Sequence, residues 1–198
     1  MKIAIGADHG GIELKSHLVA ILKQKGIGVD DVGSFDKQPV DYPDFAQVVA
    51  RQVSSGTADQ GILVCRTGIG MSIAANRYPR VRAALCSSPE LARTARRHNN
   101  ANILVLGAAG YRPAAAGQIL DAWLATSFEE VERHRRRVDK MECGPCVADD
   151  IAAVAAVDPE LATAIRNEVD RESTSVNLIA SENYASRAVR ESQGSVFT

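Results

Sequence analysis

A cysteine at the end of an apolar run is the first candidate for chemistry in this sequence. The stretch 60–65 reads QGILVC, and after Arg66 comes the turn 67–70, TGIG. Glycines let successive backbone N–H groups face one anion, and a following helix N-terminus adds partial positive charge. The turn therefore predicts a site for a phosphate, or for an oxyanion that develops during a reaction, beside the Cys65 thiol. It matches neither a P-loop nor a GxGxxG pattern, which disfavours a nucleotide-binding enzyme.

Polar residues next to other predicted strands could complete such a site. Asp8 and His9 come shortly after the strand predicted at 2–6, and His98 lies at the end of a predicted helix, just before a predicted strand. Because ligands gather at the carboxyl ends of parallel strands, we expect His9, Cys65 and His98 to share one crevice. Each also has a structural alternative: helix capping for Asp8, core packing for Cys65 and a helix C-terminus for His98. Their joint occurrence favours an active site.

A run of arginines near residue 135 could supply the complementary positive charge. Arg133 and Arg137 are four residues apart, so they project from one face of a predicted helix and could clamp a phosphate together. The alternative is a solvated charged face, because the neighbouring acids Glu129, Glu130 and Glu132 offer local partners.

Alternating strand and helix patterns indicate which elements position these residues. Predicted strands occupy 2–6, 28–33, 60–65, 82–86 and 102–107, and predicted helices occupy 11–26, 41–56, 70–77, 88–99, 112–126 and 127–142. The alternation predicts a doubly wound α/β fold with a five-stranded parallel sheet and helices on both faces. A helical C-terminal extension follows at 147–173, with a break where Asp158 caps a helix that Pro159 opens.

The composition narrows the classes of partner. The 198 residues carry a net charge of −1, with 45% hydrophobic and 24% charged residues, as in an ordinary globular protein. This balance gives no support to a role on nucleic acid or on an anionic membrane. The sequence shows neither a signal-peptide pattern nor an 18-residue apolar run, so we expect a cytoplasmic protein.

Cysteine spacing offers one further chemical hypothesis. Cys143 and Cys146 form a C-G-P-C pair, which could indicate a redox dithiol or half of a zinc site. A second CxxC is missing from the sequence, and the pair has no strand–CxxC–helix context. A Gly-Pro turn is therefore the favoured interpretation.

Several motifs in the right order resemble the ribose-5-phosphate isomerase B family, which includes galactose-6-phosphate isomerase subunits. The resemblance spans roughly residues 1–142 and is carried by IGADHGG (5–11), DYPDFA (41–46), GILVCRTGIGMSIAANR (61–77), RAALC (82–86), RHNNANILVLG (97–107) and RHRRRV (133–138). It implies a Rossmann-like three-layer fold and a homodimer, or a tetramer, with active sites between subunits. It implies no metal and no organic cofactor. The implied reaction interconverts ribose 5-phosphate and ribulose 5-phosphate through a cis-enediolate.

The resemblance also implies a role for individual residues. Cys65 would be the base that moves a proton between C1 and C2, with His98 assisting ring opening. Asp8 and Thr67 would support proton movements between oxygens. The implied substrate-binding residues are Asp8, His9, Tyr42, Arg66, Thr67, Gly68, Ile69, Gly70 and Asn99 for the sugar and the enediolate, and Arg133 and Arg137 for the phosphate.

Two positions depart from the pattern of the family. Arg66 stands where the family usually has glycine, and Ala109 stands where many relatives carry arginine, although Arg112 nearby could compensate. These departures bear on the preferred sugar phosphate more than on the reaction type. An isomerase of a six-carbon substrate, such as allose or galactose 6-phosphate, is therefore the alternative within the class.

The tail carries a second resemblance. Residues 158–198 resemble the N-terminal segment of serine hydroxymethyltransferase, a pyridoxal-phosphate enzyme, most specifically in LIASEN (178–183) and GSVFT (194–198). Ser181 matches a serine that lies near the substrate in that family. The sequence lacks the Schiff-base lysine and cofactor domain, so we expect no transferase activity.

The resulting domain plan is an isomerase domain at 1–142, a linker at 143–157 and a truncated transferase-like segment at 158–198. Such a segment predicts association with a serine hydroxymethyltransferase. In the alternative from another functional class, the whole chain is a non-catalytic docking module for that enzyme.

Overall fold

The computed structural model of the chain describes residues 1–110, 113–142, 155 and 157–174. The chain divides into two units, 1–142 and 143–198. The strands of the first unit are β1 (Lys2–Ala7), β2 (Gly28–Asp31), β3 (Gln60–Cys65), β4 (Ala83–Leu85) and β5 (Ile103–Gly107). Its helices are α1 (Ile12–Gln24), α2 (Tyr42–Ser54), α3 (Ile69–Ala75), α4 (Pro89–Asn99), α5 (Pro113–Leu124) and α6 (Glu132–Glu142), with a 3-10 turn at Ala108–Gly110.

The five strands form one parallel sheet in the order β2-β1-β3-β5-β4. The predicted five-stranded parallel sheet is thus confirmed. The chain leaves β1 for the edge strand β2 and then returns to β3 on the other side of β1. The strand order therefore reverses at β1 and β3, and their carboxyl ends flank the crevice where ligands bind in open α/β sheets.

Two apolar layers cover the sheet, one on each face. Successive residues of β3 point to opposite sides, with Ile62 and Val64 in one core cluster and Leu63 and Cys65 in the other. The first cluster holds the buried faces of α1, α4 and α5, and the second holds those of α2 and α3. A strand covered on both sides has to be apolar throughout, which explains the unbroken run in β3. The three-layer arrangement predicted from the resemblance is confirmed.

Helix α4 connects the edge strand β4 back to β5 in the sheet interior. Ser88 begins it by accepting a hydrogen bond from Leu91 N through its Oγ at 3.2 Å, and Pro89 fits the first helical position. Asn100 ends the helix in a left-handed conformation, with a φ of 47°. In a parallel sheet the connecting helix runs antiparallel to the strands, so its C-terminus lies at their amino ends.

The charged helix predicted at 127–142 is shorter than expected. It begins at Glu132, because Glu129 N donates to Arg97 O at 2.9 Å and holds the preceding segment against the end of α4.

The second unit contains α7 (Pro159–Thr174). Asp158 accepts a hydrogen bond from Leu161 N at 2.9 Å, and this confirms the predicted helix start. The C-G-P-C pair, Ser181 and the most specific motifs of the tail lie outside the described residues, as does Arg112. Across the described part of the chain, every helix is too short or too polar to cross a lipid bilayer.

Candidate active site

Cys65 ends β3 with a side chain that is 5% exposed. Gly68 N donates a hydrogen bond to its Sγ at 3.0 Å. Gly68 has a φ of +81°, and a Cβ there would lie 2.4 Å from Leu85 Cδ1. Only glycine fits this left-handed and crowded position, which turns the chain from β3 into α3 directly beneath the sulfur. The turn thus places a backbone donor at the thiol, and its predicted role as an anion site stays a prediction.

Tyr42 is the first residue of α2, and its ring lies against the same turn. A Cβ added to Gly70 would lie 2.5 Å from carbon atoms of the Tyr42 ring and 2.8 Å from its hydroxyl. The absence of a side chain at Gly70 therefore lets the phenol approach the backbone of the turn. A hydroxyl at this place can hydrogen-bond a bound sugar.

The loop after β1 lies against the loop after β3. Asp8 is 8% exposed, and its Oδ1 accepts a hydrogen bond from Gly10 N at 2.9 Å. A Cβ on Gly10 would lie 3.6 Å from Arg66 Cβ, so the two loops are neighbours. His9 is exposed, and its Nδ1 accepts from Val40 N at 3.3 Å. In a neutral ring this leaves Nε2 as the protonated nitrogen and thus as a donor.

Arg66, Thr67 and Ile69 are exposed around the turn. Arg66 O accepts a hydrogen bond from Ala109 N at 2.9 Å, which makes the two departures from the family pattern direct neighbours. The Arg66 guanidinium makes no hydrogen bond or ion pair with any described residue. Within the described residues this side chain is therefore not committed to a protein partner.

A second group of candidate residues surrounds the ends of α4 and α6. The ring of His98 is half-buried and its centroid lies 4.5 Å from that of His134, at a tilt of 40°. Asn99, Arg133 and Arg137 are exposed. Arg133 Nε donates to His134 Nε2 at 3.2 Å. These side chains combine a titratable ring with exposed cations suited to a phosphate.

The two groups lie at opposite edges of the sheet. Gly61 N at the start of β3 donates to Asn102 O, next to the end of α4, whereas Cys65 is at the far end of the same strand. Gly61 and Cys65 are four residues apart on this strand, and steps of about 3.3 Å per residue put about 13 Å between them. Within one chain His98 therefore lies apart from His9 and Cys65, and the expectation that the three share one crevice stays a prediction. His98 precedes its strand, and so it lies at the amino edge.

One group of described residues could ligate a metal ion. Potential ligand atoms of His98, Glu129 and His134 lie within 4.8 Å of one another. Two imidazoles and a carboxylate are a donor set that zinc accepts. However, Arg133 donates to His134 Nε2, and a metal on the other ring nitrogen would require a proton on Nε2. The contacts present therefore fit a hydrogen-bonded cluster better than a metal centre.

His134 was not among the residues singled out from the sequence. Its signal was the pair His134 and Val138, which are four apart and buried in a helix of otherwise charged residues. This spacing marks the face of α6 that packs on the protein, and it was obscured by the surrounding arginines.

Comparison with known proteins agrees with this geometry. The sequence model described as Ribose/Galactose Isomerase matches residues 3–141. The chain belongs to the ribose/galactose isomerase family. Family membership makes it an aldose–ketose isomerase by enzyme class. A separate model, Serine hydroxymethyltransferase, matches residues 154–198 and confirms the resemblance of the tail.

Individual relatives cover the first unit almost completely. Ribose-5-phosphate isomerase B of Escherichia coli is 44% identical over 138 residues, which are 70% of this chain and 92% of that protein. The crystal structure of a ribose 5-phosphate isomerase from Thermotoga maritima is 50% identical, with a TM-score of 0.69 over 71% of this chain and 97% of its own. Ribose-5-phosphate isomerase B from Mycoplasma genitalium, with bound ribulose 5-phosphate, is 40% identical, with a TM-score of 0.68 over 71% and 93%.

Proposed function

We propose that this isomerase interconverts ribose 5-phosphate and ribulose 5-phosphate through a cis-enediolate, with Cys65 as the base. One observation carries the proposal: the Cys65 sulfur lies at the end of β3, 3.0 Å from the N–H of Gly68, at the switch point of the sheet. The substrate is supported by relatives named for this reaction, one of them with ribulose 5-phosphate bound. We assign the protein to the cytoplasm as part of the same proposal.

The chemistry follows from the residues around the sulfur. The Cys65 thiolate takes the proton from C2 of the open-chain aldose, and the C–H electron pair becomes a C1–C2 double bond. The carbonyl oxygen becomes an oxyanion, which the backbone N–H groups of 66–70 stabilise. The same sulfur returns its proton to C1, while Asp8 and Thr67 move the hydroxyl proton between the two oxygens. No electron leaves the substrate, so the step requires no redox partner.

We further propose that a second copy of the chain completes each site. His98, Asn99, Arg133 and Arg137 are at the opposite edge of the sheet from Cys65, so one copy lacks ring-opening and phosphate-binding groups beside its base. Apolar side chains lie exposed near the crevice, with Ile69 at 56% and Ile73 at 57%. Exposed isoleucines one helical turn apart are the kind of surface that a homodimer covers. Arg133 and Arg137 of the second copy would then hold the phosphate remote from the reacting carbons.

Replacing the base tests the proposed reaction. Cys65→Ala should lower kcat/KM for ribose 5-phosphate by about 10³-fold, since a positioned base contributes about 10²–10⁴. Cys86→Ala is the matched control, because Cys86 is also buried but lies in the other core cluster. A coupled assay of ribulose 5-phosphate formation measures both. Near-full turnover in Cys65→Ala would contradict the proposal that Cys65 is the base.

For the tail we propose association with a serine hydroxymethyltransferase. The match over 154–198 supports this partner. Co-migration of the full chain with a purified complete transferase in size-exclusion chromatography tests it, with a variant ending at Glu142 as control. Independent migration of the two proteins would exclude the association.

A further inference from the structure

His134 is a buried titratable residue to which the proposed mechanism gives no task. Its side chain is 2% exposed, although its neighbours on α6 are charged and exposed. Burial of an imidazole in a helix of arginines is costly unless its nitrogens are paired. The partners of its two ring nitrogens therefore have to be identified.

Three contacts define the state of the His134 ring. Nε2 accepts a hydrogen bond from Arg133 Nε at 3.2 Å. Nδ1 lies 3.3 Å from Glu129 O and 3.7 Å from Glu129 Oε2. A neutral imidazole has one donor and one acceptor nitrogen. Because Nε2 accepts, Nδ1 carries the proton and donates it toward Glu129.

Glu129 is itself tied to α4. Its backbone N donates at 2.9 Å to the backbone O of Arg97, which is the residue directly before His98. The chain of contacts thus runs from the end of α4 through Glu129 and His134 to the guanidinium of Arg133. The ring of His134 also packs against that of His98.

The hydrogen bond orients Arg133 for a particular kind of ligand. A guanidinium has five N–H donors in a planar fork, and His134 engages only Nε. The four N–H donors of the two terminal nitrogens stay available, and together they match two oxygens of a phosphate. Anchoring Nε also removes part of the rotamer freedom that an exposed arginine loses on binding.

We propose that His134 is a positioning residue that holds the Arg133 guanidinium ready for the phosphate of the substrate. This inference rests on the proposed function, because it takes a sugar phosphate as the ligand. His134 acts through Arg133 and touches neither the sugar nor the reacting carbons. The acceptor at Nε2 is the feature on which the role depends.

Three substitutions separate the role of Nε2 from that of ring volume. The side-chain amide of glutamine reaches the position of His134 Nε2 and can still accept from Arg133 Nε. The shorter asparagine reaches only the position of Nδ1, so it cannot accept that hydrogen bond. Phenylalanine keeps the volume and the stacking but accepts nothing. We expect His134→Asn and His134→Phe to raise KM about tenfold with kcat within about twofold, and His134→Gln to stay within about twofold of wild type.

The Arg133→Ala background tests whether the effect passes through Arg133. There, His134→Asn or His134→Phe should raise KM no further, because the anchored group is already gone. An equal increase in both backgrounds would overturn the proposal. So would an equal loss in all three His134 variants, which would indicate a packing role only.

Binding of inorganic phosphate provides a readout that needs no turnover. Calorimetric titration of the Cys65→Ala protein should show affinity about tenfold weaker with His134→Phe and nearly unchanged with His134→Gln. Equal phosphate affinity in both variants would refute the role of His134. Failure of the Cys65 mechanism would leave this comparison intact, so the two proposals can fail separately.

Discussion

At the scale of the residue, the two described cysteines differ in environment more than in burial. Cys65 faces the crevice and accepts the Gly68 N–H, whereas Cys86 packs in the core cluster shared with α4 and α5. Burial raises the pKa of the Cys86 thiol to about 11. Below pH 9 this thiol stays protonated in the folded chain. As the pH rises toward 11 the unfolded chain ionises first, so the stabilisation from burying a neutral thiol is lost.

Selective alkylation should reveal this difference. In a Cys143→Ser/Cys146→Ser background at pH 8, iodoacetamide should modify Cys65 and leave Cys86 unmodified, since burial keeps the Cys86 thiol protonated and only a thiolate reacts rapidly. Ribose 5-phosphate should slow the modification by covering the crevice. Mass spectrometry of tryptic peptides measures both sites, and faster labelling of Cys86 would contradict the assignment.

Arg66 is the residue from which we expect an effect on substrate choice. Arg66 is exposed directly after β3, its backbone O accepts from Ala109 N, and its Cβ lies near Gly10 in the loop of Asp8. A long cation there should narrow the room for a sixth carbon. Arg66→Gly should therefore raise the ratio of kcat/KM for allose 6-phosphate over ribose 5-phosphate by about tenfold, a change of about 1.4 kcal/mol.

A panel of both sugar phosphates measures this ratio, with Arg77→Gly, an exposed arginine past the end of α3, as the control. An unchanged ratio in Arg66→Gly would show that the side chain does not shape the pocket.

At the scale of the element, the site depends on how closely α2 and α3 approach each other. The Tyr42 ring at the start of α2 occupies the space that a side chain at Gly70 of α3 would need. Even a methyl group at that distance forces one of the two to move.

Gly70→Ala should therefore lower kcat/KM by at least about tenfold while the fold persists, because Tyr42 is pushed away from the turn. Removing the tyrosine ring in Gly70→Ala/Tyr42→Ala should relieve the clash, so the double variant should be no worse than Tyr42→Ala alone. Steady-state kinetics and thermal unfolding of the three variants test this. Strictly additive losses would show that the two positions act independently.

At the scale of the whole molecule, the parallel direction of the strands separates the candidate residues into two groups. β4 and β5 are parallel, so α4 has to return to the amino edge before β5 begins. Cys65, the proposed base, and its backbone donor are at one edge, and the imidazole of His98 and the arginines are at the other. A dimer in which opposite edges meet would restore a complete site.

Mixing two inactive variants tests this arrangement. Cys65→Ala and His98→Asn should each be inactive alone, yet subunit exchange should restore about a quarter of the wild-type activity. Half of the dimers are then mixed, and one of their two sites has both residues intact. Activity that stays at background after verified exchange would show that each site is built within one chain.

Much of this protein was determined by local sequence. The apolar run of β3, the glycines after Cys65 and the Asp158-Pro159 pair predicted their elements correctly, because strand burial, left-handed turns and helix starts depend on neighbouring residues. The family also followed from motifs in their linear order. The site residues were predicted by the same motifs, and their individual roles remain predictions.

Tertiary structure alone decided which residues lie together. Three contacts could not be predicted from the spacing of residues along the chain. They are the approach of Tyr42 to Gly70, the hydrogen bond between Arg66 and Ala109, and the hydrogen bond by which His134 anchors Arg133. The separation of His98 from Cys65 within one chain follows from the parallel direction of the strands, because a helix that precedes a strand ends at the amino edge. The order of the strands is a choice among topologies that the same alternation of strand and helix allows. Sequence patterns specify the elements because their forces are local, whereas the sheet order and its edges arise from packing between distant segments.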